Sequence, residues 1–66
     1  MYHAGYVKNE QRITIFIAGA KDCLPPYLTG YLGQFDGEFR EENRQRLESN
    51  AKVFFPQKEF NFIYNL

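Results

Sequence analysis

Apolar and polar residues alternate along the two ends of this chain and recur at helical spacing through its middle. Near the N-terminus Tyr2, Ala4 and Tyr6 alternate with His3, Gly5 and Val7. After the polar run Lys8-Asn9-Glu10-Gln11 comes Arg12-Ile13-Thr14-Ile15-Phe16-Ile17-Ala18, rich in β-branched and aromatic residues. This is the pattern of a β-hairpin. Pairing Val7 with Arg12 sets Tyr6 against Ile13, Ala4 against Ile15 and Tyr2 against Ile17. Opposed residues share a face, so this register gathers Tyr2, Ala4, Tyr6, Ile13, Ile15 and Ile17 on one side. A slip by one residue would mix the two faces.

Leu24, Tyr27, Leu28, Tyr31, Leu32 and Phe35 recur at intervals of three and four, which predicts one face of a helix. Asp22 is placed to cap it, and Pro25 and Pro26 fit its first turn, where no amide is needed. Gly30 and Gly33 lie off the stripe and weaken the helix by ~1 kcal/mol each relative to alanine. Gly37 ends it. A second helix is predicted from Glu38 to Lys52, with a narrow apolar stripe of Phe39, Leu47 and Ala51 and a wide charged face. Val53 to Gln57 closes the helical part, since Pro56 cannot continue it. From Lys58 to Leu66, the residues Phe60, Phe62, Tyr64 and Leu66 alternate with Glu59, Asn61, Ile63 and Asn65, which predicts a third strand.

The expected order is therefore β-β-α-α-β, an α+β fold in one domain over residues 1–66. Two helices run out and back, so the third strand is expected beside the second and antiparallel to it. The sheet is then three-stranded and antiparallel, in order 1-2-3, with both helices on one face. A single merged helix would instead place the third strand beside the first.

Composition sharpens this picture. At 66 residues the chain is near the lower limit for folding alone. Seven Phe and five Tyr answer that limit, since each buried ring removes ~150–250 Å² from water. Eight basic and eight acidic side chains cancel, which argues against a dedicated binder of nucleic acid or anionic membrane. Zero net charge also gives weak mutual repulsion, so a homodimer or higher oligomer is expected. The one cysteine, Cys23, allows no internal disulfide and no cysteine-rich metal cage. The N-terminal residues lack the basic and apolar regions of a signal peptide, and the apolar run Ile13 to Ala20 is too short to span a bilayer. A reducing, cytoplasmic setting is the expectation.

The candidate chemistry is sparse. Cys23 precedes a predicted helix start, where a thiol is activated only if a base lies nearby, and the sole histidine, His3, sits on the hairpin. One histidine and one cysteine cannot complete a zinc site. Gly19-Ala20-Lys21-Asp22 lies between a strand and a predicted helix but matches no phosphate-loop pattern. Glu38, Glu41, Glu42 and Glu48 alternate with arginines on a helix expected to be solvated, with no apolar pocket expected around them. No cofactor and no catalytic set is implied.

Two helices shield one face of the sheet. Val7, Thr14, Phe16, Ala18 and Ile63 remain on the other with nothing in the chain expected to cover them, and such a patch is a typical contact site. The sequence is therefore read as a small non-catalytic protein-binding module: a regulator, inhibitor or accessory subunit, of the kind that short viral or mobile-element chains often supply. Phe16, Val7, Ile63 and His3 are the expected contacts, with Tyr2 near the edge. Arg40, Arg44 and Glu48 form a second set. The alternative reading is a nucleic-acid-binding module that uses the helical arginines or stacks bases on Phe16.

Overall fold

A computed structural model describes residues 1–56 and 59–66. Strands β1 (Tyr2–Lys8) and β2 (Arg12–Gly19) form the expected antiparallel hairpin. Its register is two residues from the expected one: Lys8 faces Ile13, Tyr6 faces Ile15 and Ala4 faces Ile17. The turn moves because Asn9 organises it. Its Oδ1 accepts from the amides of Gln11 (3.1 Å) and Arg12 (2.8 Å), and its own amide donates to the Arg12 carbonyl at 2.9 Å. An asparagine at the first turn position does this readily. A shift of two preserves side-chain parity, so the same residues meet on the same face.

The rest departs from the expectation. The sheet is four-stranded and mixed, in order β3-β1-β2-β4, and it carries one helix. The first predicted helix does not form: residues 20–29 are irregular, and Gly30–Phe35 is strand β3, antiparallel to β1. The glycines that weaken a helix here serve a strand. The register shifts between Ala4 and Gly5, leaving Leu32 without a partner, and Gly33 takes a φ of +122° in this bulge, a conformation that side chains rarely adopt. The second predicted helix is α1 (Glu41–Phe54), starting later than expected and ending later too. Glu41 and Glu42 in its first turn and Lys52 in its last complement the helix dipole.

Strand β4 (Glu59–Asn65) does lie beside β2, but parallel to it. The physical reason is the number of crossings. With two helices between the strands, the chain would go out and back once. In fact residues 20–29 climb the sheet, β3 descends and α1 climbs again, so β4 must descend alongside β2. Gln57, the last residue of the expected closing segment, and the strand start expected at Lys58 lie outside the described residues.

The core sits between α1 and one sheet face. Ile13, Ile15 and Ile17 are fully buried with Ala4, under Ala51 of the helix. They face Phe60, Phe62 and Tyr64 of β4 in register. Tyr2 is buried to 8% exposure, stacked on Phe35 at 5.1 Å between ring centroids and edge-on to Phe39 at 4.9 Å. Tyr6 meets Phe55 at 4.8 Å. The aromatic surplus of the sequence is thus largely consumed here, as a lattice of ring pairs.

Candidate functional site

The second sheet face is not bare. Residues 20–29 cross it from the Tyr2 end, where the Ala20 amide donates to the Met1 carbonyl, to the Lys8 end, where the Thr29 amide donates to the Tyr6 carbonyl at 2.8 Å. The crossing strap is pinned at three points. His3 Nε2 donates to the Asp22 carbonyl at 2.8 Å, which fixes the proton on that nitrogen. Leu28 rests on Gly5, so closely that a Cβ there would lie 2.5 Å from Leu28 Cδ1. The Lys8 amide donates to Thr29 Oγ1 at 2.9 Å. Tyr27 adds an edge-on contact to Phe16 at 6.4 Å.

The strap covers the β1 and β2 side of this face and stops short of β4. Between them lies an open groove of about 470 Å³. Phe16, Ala18 and Ile63 come from the sheet, and Cys23, Leu24 and Pro25 from the strap. Phe16 is half-buried and directly opposes Ile63 in the β2–β4 register. Ile63 remains 42% exposed. Cys23 is exposed at the rim.

On the other side of β4 a polar cluster joins the strand to the helix. The Tyr64 hydroxyl donates to Glu48 Oε2 at 2.6 Å, Arg44 Nε donates to the same oxygen at 3.0 Å, and the Arg44 guanidinium lies over the Tyr64 ring at 4.9 Å. Burial, then the hydrogen bond to Glu48, pushes Tyr64 up to about 12. The Tyr64 hydroxyl, and after it Arg44, holds Glu48 below the usual glutamate value. Glu48, and then the neighbouring Tyr64, raises Arg44. Since the folded protein keeps Tyr64 protonated above its ordinary range, its contribution to stability is complete below pH ~10 and is lost as pH rises from there through about 12. The Glu48 contribution runs oppositely, present above pH ~4.3 and lost as pH falls through the lowered value. Titration of tyrosinate absorbance should show a late ionisation at about 12 that Tyr64→Phe removes. Loss of amplitude only in the ordinary tyrosine range would contradict the assignment.

The structure thus sorts the residues singled out from the sequence. Phe16 and Ile63 meet in the groove. Val7 and His3 share that face but are half-buried, and His3 is committed to holding the strap. Tyr2 belongs to the core. Arg44 and Glu48 bind each other and Tyr64, while Arg40 precedes the helix and stays exposed beside Phe39 and Leu66. The sheet face and the helical set lie on opposite sides of β4, so they do not form one surface. Leu24, Pro25 and Leu28 escaped sequence reasoning, because their spacing suits a helix. Two consecutive prolines followed by Thr29-Gly30 were the signal against that assignment.

Among the described residues no helix is long and apolar enough to cross a membrane, and no group of three or more His, Cys, Asp or Glu is placed to hold a metal ion. No family model, curated protein or solved structure matches this chain.

Proposed function

We propose that the chain is a non-catalytic protein-binding module whose contact surface is the groove between the strap and β4. One observation carries this reading: the groove keeps Ile63 exposed beside Phe16, Leu24 and Pro25, on a part of this face that the strap leaves open. Among the described residues its walls carry no charged side chain, so a charged group entering it would lose water without gaining a partner there. An aromatic or leucine side chain from an uncharged segment of another protein would instead bury apolar area against a preformed wall. The helical arginines support the nucleic-acid alternative poorly, since Arg44 is already neutralised by Glu48 and Glu41.

A display library of short peptides, selected on the immobilised protein, tests the proposal. Enriched peptides are expected to carry a large apolar residue, to slow alkylation of Cys23 when bound and to lose binding in Ile63→Asp. Enrichment of charged peptides that bind Ile63→Asp equally well, or no enrichment at all, would count against the groove.

A further inference from the structure

We propose that β4 pairs edge to edge with β4 of a second copy of this chain, antiparallel and centred on Ile63. The inference rests on the reading of the β4 side as a contact surface and adds the occupant of its free edge. The backbone defines what that occupant must be. The Glu59 amide donates to the Gln11 carbonyl of the neighbouring chain segment. Strand residues alternate in the direction of their amides and carbonyls, so Glu59, Asn61, Ile63 and Asn65 turn toward β2. Phe60, Phe62 and Tyr64 turn their N–H and C=O groups outward. This row of unpaired groups is a template for another strand.

The two edges of the sheet are treated differently. Strand β3 is broken by the bulge at Gly33, a device that discourages pairing. Strand β4 has no bulge, no proline and, from Phe60 to Leu66, no charged side chain. Its one charged residue, Glu59, is bound to Arg12 at 2.9 Å.

Symmetry selects the second copy. A two-fold axis through an antiparallel pair must pass a residue that faces itself. Centring on Ile63 sets Phe62 against Tyr64, Asn61 against Asn65 and Phe60 against Leu66, so every residue meets its like. Centring on Phe62 would set Asn61 against Ile63. In the favoured register Phe62 and Tyr64 exchange the outward hydrogen bonds. Ile63 forms the non-hydrogen-bonded pair, whose side chains approach most closely. Phe16 already opposes Ile63, so pairing extends the apolar floor of each groove across the axis. The contact is smaller than the ~1,600 Å² typical of stable complexes, so the dimer should dissociate on dilution.

Sedimentation of the full chain over a range of concentrations tests the inference. The wild type is expected to move from monomer to dimer. Ile63→Lys places a charge on an already exposed side chain and should stay monomeric. A synthetic chain N-methylated at the Phe62 amide keeps every side chain and should dimerise at least ~10-fold more weakly, with unchanged circular dichroism. A wild type that is monomeric throughout, or a dimer that survives both changes, overturns the edge pairing. Peptide binding in the groove would still stand in a monomeric chain, so the two proposals fail separately.

Discussion

Ile15→Ala is expected to leave most of the protein unfolded at room temperature. Ile15 is fully buried at the centre of the sheet, facing Tyr6 on β1 and Phe62 on β4. Truncating a buried isoleucine to alanine costs ~2–5 kcal/mol, because the transfer energy of the lost groups is joined by that of the cavity left behind. A single core in a domain this small rarely supplies more than ~3–5 kcal/mol in total. The loss and the reserve are therefore of the same size. Rigid aromatic neighbours on both sides limit collapse of the cavity, which pushes the cost toward the upper part of the range. Ile63→Ala, made on the exposed face of the adjacent strand, should change stability by less than ~0.5 kcal/mol. Urea denaturation of the two variants beside wild type measures the contrast. A cost for Ile15→Ala below ~1 kcal/mol would contradict the placement of the core.

Gly5→Ala should be the second most damaging change, although it adds a single methyl group. The new Cβ would lie 2.5 Å from Leu28 Cδ1 and 3.1 Å from the Gly30 carbonyl oxygen. Leu28 can rotate away, but only by lifting the strap from the sheet. The Gly30 oxygen belongs to the backbone of β3 and yields only by loosening its pairing with β1. Overpacking of this kind costs ~1–3 kcal/mol. The local signature is faster amide exchange in residues 30–35 and at the Thr29 amide, as the strap loosens from β1. If exchange quickens only in α1, the strap does not lie where the structure places it.

These two positions show how unevenly the fold is written into the chain. Ile15 belongs to a period-two pattern whose meaning survives a register shift: the observed pairing lies two residues from the expected one, yet Tyr2, Ala4, Ile13, Ile15 and Ile17 are buried together, with Tyr6 half-buried on the same face. The alternation of Phe60, Phe62 and Tyr64 was equally legible, since only a strand puts all of them on one face. Gly5, by contrast, reads as an ordinary hairpin residue. Nothing local reveals that Leu28 lands on it. The stretch from Leu24 to Phe35 carries two conflicting signals: its apolar spacing fits a helix, while its prolines and glycines point the other way. The pairing that decides the matter, Gly30–Phe35 against β1, involves residues far apart in the chain.

The candidate site inherits that division. An apolar, incompletely covered face follows from residues Phe16, Ala18 and Ile63 and from the short supply of covering elements. The groove itself, with its walls from Leu24 and Pro25, follows from the path of the strap, which turns a broad open patch into a narrow one beside β4. Local periodicity is enough to say which side of a strand faces oil and which faces water, because each residue settles that with its immediate neighbours. Strand order, the parallel direction of β4 and the course of residues 20–29 depend on how many times the chain crosses the sheet. That number is set by competition between distant partners for the edge of β1, and no single stretch of sequence contains it.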